Sequence, residues 1–278
     1  MAAVALTVAA CDEEGPDREA SPVESKTTQN IHFADYDSRT GVNGTTATLS
    51  IDSTYFVVAL ERQKADTEAT VELQCYNAEG AFDVPDTVTF AKNKTTVNIR
   101  VDLNKDVVKP FAQYTLYINL LLTPDQAYSY ADDATVAQHI VTVTQEDFKR
   151  YGMGIFSSDM WGSWVQLIEY SPMLDAYRLP NLIETGYHRI FKLDEGCATF
   201  KVVSGVVDGA AVVSAKDTET STGYDHPTYG MIMSTFYAYD GSHGSLSDKV
   251  YTFYEVEYTV QDVSFGAYKE TFQLVNTY

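Results

Sequence analysis

Apolar side chains recur at every second position through most of this chain, and this alternation constrains the fold more than any other feature of the sequence. In the clearest run, Val97 to Leu103, the residues Val, Ile, Val and Leu alternate with Asn, Arg and Asp. Shorter runs of the same kind span Val71 to Cys75 and Tyr114 to Leu120. A period of two is typical of a strand that buries one face, and no window of useful length carries the helical period. The sequence therefore predicts an all-β protein.

The strand-like runs form two series, which predict two tandem domains. Residues 31–146 and residues 150–278 each contain short runs bounded by turn residues, the pattern of an antiparallel β-sandwich. In the first series, Tyr55 to Leu60 is continuously apolar, which predicts a strand buried on both faces. The boundary falls within Glu146 to Gly154, where no Pro-rich or Ser-rich linker separates the halves. We expect two immunoglobulin-like β-sandwiches that pack closely together.

The longest alternating run of the second series is Val250 to Val260. Its pattern places Tyr254 and Tyr258 on the buried face, and Glu255 and Glu257 on the face that meets water. The sequence thus predicts a strand with one core face and one polar face.

Charge and composition limit the partners of this protein. There are 39 acidic and 19 basic residues, which give a net charge of −20. Such a charge repels phosphate backbones and anionic membrane surfaces, so nucleic acid is excluded as a partner. The 20 tyrosines and 13 phenylalanines favour β-structure, and they are also typical of surfaces that contact sugars.

The first series contains a recognisable succession of strands. Ala81 to Phe90 carries the pattern Phe-x-Val-Pro-x-x-Val-x-Phe, Lys92 to Lys94 form a polar turn, and Thr95 to Leu103 follows as a Thr-x-Val-x-Ile-x-Val strand. This succession resembles Calx-β domains, which implies an immunoglobulin-type sandwich that serves here as a spacer. Calcium binding does not carry over, because the acidic loop ligands cannot be placed. Asp35 to Arg39 begins like an EF-hand loop but has Arg39 where an oxygen ligand is required, so no metal or cofactor is predicted.

The amino-terminal residues resemble a bacterial lipoprotein signal. Residues 1–10 are short and apolar, and Val8-Ala9-Ala10 precede Cys11 as small residues precede the lipidated cysteine of a lipobox. Residues 12–14 are acidic, as in the export signal of Bacteroidetes surface lipoproteins, and residues 11–30 are too polar to fold. The apolar run lacks the basic residues of a secretory signal, which a start codon assigned too late would explain. The resemblance implies a lipid anchor at Cys11 and a tether that displays the protein outside the outer membrane.

Two further cysteines carry little information about function. Cys75 falls on the apolar side of an alternating run and is predicted to be a buried small residue, whereas Cys197 follows a Glu-Gly turn and is expected to be partly exposed. Because they are about 120 residues apart, a disulfide framework is not predicted.

Motifs of catalysis are missing from the sequence. The five histidines show no zinc-ligand spacing, and there is no Gly-x-Ser-x-Gly elbow or phosphate-binding loop. Glu255 and Glu257 could form the pair of carboxylates that a glycosidase needs, but two solvated glutamates on an outward strand face are the simpler interpretation. We therefore predict that the protein is not an enzyme.

Two loops of the second series combine aromatic and polar residues. One is Ser158 to Trp164, which holds both tryptophans of the chain, and the other is Gly223 to Gly230. Aromatic faces stack on the C–H faces of sugar rings, and neighbouring polar groups bind hydroxyls. Core packing is the alternative for these aromatics, above all for Trp164, which opens a strand. The residues predicted to bind a ligand are Trp161, Tyr224, His226, Tyr229 and Tyr239.

Three functions remain open from the sequence. The first is a non-catalytic module that binds an extracellular polysaccharide or oligosaccharide, displayed as a surface-exposed outer-membrane lipoprotein. The second is a structural or accessory lipoprotein that binds an outer-membrane protein partner or acts as an adhesin. The third is a carbohydrate-active enzyme, which requires two converging carboxylates in a groove.

Overall fold

The computed structural model describes residues 28–35, 44–127, 137–261 and 263–278, and every regular element within them is a β-strand. The all-β prediction is therefore confirmed. Cys11, the signal-like segment 1–10 and nearly all of the predicted tether lie outside the described residues. No helix that could cross a membrane occurs among the residues described.

The first nine strands form a two-sheet sandwich. One sheet has the order β1-β3-β7-β5 and the other the order β2-β9-β8-β4-β6, with β2 and β9 parallel and every other pair antiparallel. The two inner faces enclose a continuous apolar core that includes Phe33, Phe90 and Leu116. The strands are β1 (His32–Phe33), β2 (Gly44–Ser50), β3 (Tyr55–Glu61), β4 (Ala69–Tyr76), β5 (Phe82–Asp83), β6 (Thr87–Phe90), β7 (Thr96–Leu103), β8 (Gln113–Leu121) and β9 (Gln138–Glu146).

Two predictions about buried faces in this sandwich are wrong. Tyr55 and Val57 of β3 are exposed, because each sheet of a two-layer sandwich meets the core with one face only. Cys75 is exposed as well, because it lies near the end of β4, beyond Leu73, the last buried residue of that strand.

The segment predicted as one strand from Ala81 to Phe90 is divided between the two sheets. Its first part, β5, pairs with β7, and its second part, β6, pairs with β4. The chain changes sheets between them at residues 84–86. Pro85 lies in this crossing, where its missing N–H costs no ladder hydrogen bond.

The second half forms one sheet that closes on itself. Strands β10 to β14 are antiparallel neighbours in chain order, and β20 and β19 continue the sheet from the other side of β10. Closure comes from β18, which pairs with both β14 and β19. The strands are β10 (Lys149–Ser158), β11 (Gly162–Ser171), β12 (Ala176–Leu179), β13 (Arg189–Leu193), β14 (Thr199–Val207), β15 (Ala210–Val213), β16 (Thr218–His226), β17 (Gly230–Phe236), β18 (Gly244–Ser247), β19 (Val250–Val260) and β20 (Val263–Thr277).

This closed sheet differs from the expected second pair of stacked sheets. Strands β10 to β14 pair with their neighbours in the chain, and the short β18 bridges β14 and β19, so the inner faces surround a single core. Six phenylalanines fill that core, each fully buried: Phe156, Phe191, Phe200, Phe236, Phe253 and Phe272. Strand β15 extends the sheet from β14, and β17 and β16 extend it from β19.

Only two residues separate the last strand of the sandwich from the first strand of the closed sheet. The first, Asp147, is buried and accepts hydrogen bonds from the Ser171 hydroxyl and the Met173 N–H. The second, Phe148, lies 3.9 Å beneath the guanidinium of Arg178, measured to the ring centroid. Arg178 also forms ion pairs with Glu146 and Glu169. These buried polar contacts hold the two halves together.

Candidate functional site

The predicted ligand-binding residues lie in three separate places. Trp161, from the turn between β10 and β11, and Tyr224, from strand β16, meet with ring centroids 5.6 Å apart, and Trp161 also packs 5.5 Å from Tyr258. Both side chains are half-buried against the second core. The structure therefore brings these two segments together, but it uses Trp161 and Tyr224 mainly as packing.

His226 and Tyr229 lie together at the tip of the β16–β17 hairpin. Their rings are 4.8 Å apart, and Phe265 from the β19–β20 hairpin lies 6.0 Å from His226 and 6.2 Å from Tyr229. We call these three residues the hairpin patch. Phe265 is a member that the sequence did not reveal, because the contact joins two hairpins remote in the chain.

Tyr239 is separated from the other four residues. Tyr229 precedes β17 and Tyr239 follows it, so a whole strand lies between them, roughly 20 Å at about 3.3 Å per residue. Tyr239 instead meets Tyr254 of β19, with ring centroids 5.8 Å apart and ring planes at 77°. The prediction that all five residues line one site is therefore wrong.

The two tyrosines line an open hollow where β18 closes the sheet. Its volume is about 420 Å³, and its other lining residues are Thr199, Asp240 and Ser242. We call these five residues the tyrosine hollow. A volume of a few hundred cubic ångströms, two aromatic walls and a few polar groups are typical of a small-molecule site.

A tight turn builds one wall of the tyrosine hollow. Tyr239 and Ser242 exchange backbone hydrogen bonds of 2.8 and 3.0 Å across Asp240 and Gly241, which have φ of 49° and 79°. Two central residues with positive φ define a type I′ turn, for which Asp-Gly is a favoured sequence. The dipeptide Asp240-Gly241 is a signal in the sequence that could have located this wall.

A β-bulge builds the other wall. The pairing of β19 with β20 shifts between Phe253 and Val256, so the inward positions change from Tyr251 and Phe253 to Val256 and Tyr258. The prediction that Tyr254 shares the buried face with Tyr258 is wrong for this reason. The extra residue of a bulge re-aims neighbouring side chains, and it places Tyr254 on the wall of the hollow.

The polar side of the hollow is held by Asp194. Its carboxylate accepts hydrogen bonds from the hydroxyls of Ser242 (2.9 Å) and Thr199 (2.8 Å), and it pairs with Lys201. Burial raises the pKa of Asp194, but hydrogen bonds from Lys201, Thr199 and Ser242 outweigh it and hold the pKa below its ordinary value. Asp194 therefore stays ionised and orients the two hydroxyls.

Outward carboxylates next to the hollow are bound to tyrosines. The Tyr239 hydroxyl donates to Glu255, and the Tyr237 hydroxyl donates to Glu257, which also accepts from Ser264. The hydrogen bond to Glu257 raises the pKa of Tyr237 to about 12. Hydrogen bonds from Ser264 and Tyr237 lower the pKa of Glu257, so this carboxylate is not suited to act as a general acid. The arrangement is a hydrogen-bonding surface on which phenol hydroxyls donate to carboxylates.

A larger cleft of about 710 Å³ lies between the two halves. Phe111 and Tyr114 line it from the sandwich, and Met173 and Val206 line it from the closed sheet. Its surface is mainly apolar. Lys109 and Asp208 also line the cleft, so two opposite charges lie within its mainly apolar surface.

Metal ligation and nucleophilic chemistry find no support among the described residues. No group of three or more His, Cys, Asp or Glu side chains is arranged to hold a metal ion in that part of the chain. Asp35 accepts a hydrogen bond from Thr45, while Arg39 lies outside the described residues. Desolvation and the nearby Asp86 carboxylate raise the pKa of Cys75 to about 11, so the thiol stays protonated at neutral pH.

Comparison with known proteins gives distant structural similarities. No protein-family profile matches the sequence, and no curated protein matches it significantly. A protein of unknown function from Bacteroides ovatus aligns over 88% of this chain and 90% of its own, with 8% identity and a TM-score of 0.37. An auxiliary nutrient binding protein from Bacteroides thetaiotaomicron aligns over 85% and 91%, with 9% identity and a TM-score of 0.33. The apo-form Calx CBD1 domain aligns over 42% of this chain and 96% of its own, with 16% identity and a TM-score of 0.29. At these values none of them assigns a function to the chain.

Proposed function

We propose that this protein is a non-catalytic module that binds a saccharide in the tyrosine hollow. The observation that supports the proposal is the pair of rings, Tyr239 and Tyr254, set at 77° around an open space with polar residues at its edge. One ring stacks on the face of a sugar while the other covers its edge. Asp240 and the oriented hydroxyls of Thr199 and Ser242 bind the sugar hydroxyls.

The charge around the hollow selects against an anionic ligand. Asp240 lines it, Glu255 is bonded to the Tyr239 hydroxyl, and the chain carries a net charge of −20. A sulfated or uronic-acid sugar would meet like charges within a few ångströms, a contact that costs free energy. Anionic saccharides are therefore disfavoured, and the ligand that we propose is a neutral oligosaccharide or a neutral segment of a polysaccharide.

We propose in addition that this activity lies outside the cell. Lipidation at Cys11, with the polar residues 11–30 as a tether, would hold the module at the surface of the outer membrane. A neutral extracellular polysaccharide would be accessible there without transport. The Tyr239 and Tyr237 hydroxyls already donate hydrogen bonds to Glu255 and Glu257, which favours retention of a ligand over its hydrolysis.

A glycan array probed with the full chain tests the proposal. We expect binding to neutral glycans, weakened about tenfold or more by Tyr239→Ala and by Tyr254→Ala, because each removes one stacking face. Tyr229→Ala is the matched control, since Tyr229 is 47% exposed compared with 50% for Tyr239. A blank array from folded protein, or hits that survive both hollow substitutions, would overturn the proposal.

A second candidate function, protein assembly, is favoured by the free edge of β15. This strand ends the sheet order, its residues Ala210–Val213 are uncharged, and Val207, Val212 and Val213 are exposed. An uncharged edge strand is a template for pairing with another chain. Antiparallel pairing with a second copy would bring uncharged residues opposite each other in spite of the acidic surface.

Sedimentation velocity tests this second function, because it measures whether the chain forms a dimer. A concentration-dependent dimer that Val212→Lys disperses would support it. Val57→Lys, at an exposed valine of the sandwich, serves as the control. A monomer at all accessible concentrations would contradict it.

A further inference from the structure

Three residues form an exposed row across the outer face of the five-stranded sheet of the sandwich. Tyr76 of β4 pairs directly with Tyr117 of β8, which pairs with Ile140 of β9. Their exposed fractions are 63%, 37% and 38%. The two tyrosine rings lie 6.1 Å apart with their planes at 50°. Two adjacent exposed aromatic rings offer a flat apolar surface on which a ligand can stack.

A row of amide side chains lies beside this first row, which we call the aromatic row because two of its three members are tyrosines. Gln74 pairs with Asn119, and Asn119 pairs with Gln138, whose Nε2 donates to Asn119 Oδ1 at 3.0 Å. Each amide lies two residues along its strand from an aromatic-row position, about 7 Å away on the same face. The two rows together contain no charged side chain.

We propose that these two rows, the sheet platform, form a second binding site for a neutral polysaccharide. A sugar ring stacked on Tyr76 or Tyr117 places its hydroxyls over the amides, which can donate and accept hydrogen bonds. An apolar protein surface in the same position would remove water from these polar amides without offering them hydrogen bonds, which costs free energy. An anionic or cationic ligand would find no countercharge on the six residues.

This inference deepens the proposed function, because it adds a second site for the same ligand class on the other half of the chain. The sandwich then binds ligand as well as spacing the second half from the membrane. A polymer long enough to reach both sites binds with avidity, whereas a short oligosaccharide occupies them independently.

Affinity electrophoresis of the full chain in gels containing galactomannan, xyloglucan, yeast mannan or glycogen tests the platform. The platform variant Tyr76→Ala/Tyr117→Ala is expected to weaken retardation by the bound polysaccharide about tenfold. Tyr55→Ala, an exposed tyrosine on the other sheet of the same sandwich, is the matched control and should leave retardation unchanged. Circular dichroism verifies that each variant is folded.

The hollow variant Tyr239→Ala/Tyr254→Ala separates the two sites in the same gels. Weaker retardation of both the platform variant and the hollow variant supports two sites. Loss in the hollow variant alone overturns the platform and leaves the proposed function standing. A loss confined to the platform variant supports the platform and removes the tyrosine hollow as a binding site, and wild-type protein that no polysaccharide retards overturns both.

Discussion

Glu270 and Arg189 form an ion pair of 2.5 Å inside the closed sheet, where their side chains are 0% and 4% exposed. Tyr258 donates its hydroxyl to the same carboxylate at 2.7 Å, and the guanidinium lies 4.8 Å from the ring centroids of Phe236 and Phe253. We expect Glu270→Gln to lower the free energy of unfolding by about 3–5 kcal/mol, because it leaves the Arg189 charge buried without a counterion. Denaturant unfolding of the purified variant measures the change.

The double substitution Arg189→Met/Glu270→Leu is the control for this pair. It removes both charges and keeps apolar volume, so most of the lost stability should return. If the double variant is as unstable as Glu270→Gln, packing around the pair and not the unpaired charge sets the cost.

Gly244 of β18 allows the sheet to close beside the tyrosine hollow. A Cβ at this position would overlap the Phe200 ring and the carbonyl oxygen of Thr252. We therefore expect Gly244→Ala to destabilise the fold by about 1–3 kcal/mol and to weaken saccharide binding, because β18 must move away from its neighbours. Gly205→Ala meets no atom within 4 Å and is the control. Thermal unfolding with a parallel binding assay checks both effects, and equal melting temperatures for the two variants would contradict the prediction.

His243 gives the fold a defined pH dependence. The ring is fully buried, Nδ1 accepts the Val202 N–H at 2.9 Å, and Nε2 lies 2.8 Å from the Lys216 carbonyl oxygen. Burial lowers the pKa of His243, and His139 and His188 shift in the same direction for the same reason. As the pH falls, these histidines therefore take up protons at a higher pH in the unfolded chain than in the folded protein. Stability is complete above the unfolded pKa of about 6.5 and falls as the pH drops from there through the folded-state pKa.

Melting temperatures at pH 7.5 and 5.0 test this dependence. His243→Gln should be less stable than wild type at pH 7.5, because a buried hydrogen bond is lost, and it should lose less stability between the two pH values. If the melting temperature of the variant fell as much between the two pH values as that of the wild type, His243 would not contribute to the pH dependence.

Arg178 joins the two halves of the chain. It pairs with Glu146 at 2.5 Å and with Glu169 at 2.7 Å while it covers the Phe148 ring. We expect Arg178→Ala to cost about 3 kcal/mol, because two largely buried carboxylates lose their partner, and to separate unfolding into two transitions. Calorimetry measures both.

Arg100→Ala is the matched control for Arg178. Arg100 also pairs with a carboxylate and lies 4.0 Å from the centroid of an aromatic ring, but it is on the surface. Its loss should leave a single transition near the wild-type temperature, since exposed pairs contribute little. A single, unshifted transition for Arg178→Ala would mean that other contacts join the halves.

Local periodicity located most strands of the sandwich but not the residues that its strands expose. Val97 to Leu103 and Tyr114 to Leu120 are strands as predicted, because alternation follows directly from the pleat of one strand. Tyr55 and Val57 were expected to be buried, yet which face of β3 meets a second sheet depends on a partner remote in the chain.

The candidate site was only partly predictable. Tyr239 was identified as a binding residue, whereas Tyr254 was missed because a bulge shifts the alternation of β19 by one position. Thr199 completes the hollow from a strand 40 residues away from Tyr239 in the sequence. Trp161 and Tyr224 were expected at the site and instead pack against Tyr258 and each other.

The sequence by itself determined that this protein is all-β, that it is strongly acidic and that its second half carries aromatic loops. These are properties of single residues and of the strand period, and they need no knowledge of contacts. Only the tertiary structure decided that β18 closes the second sheet, that Tyr239 meets Tyr254, and that Tyr76 and Tyr117 lie side by side. Strand order and register are set by hydrogen bonds and packing between distant segments, and a local pattern is compatible with many such pairings.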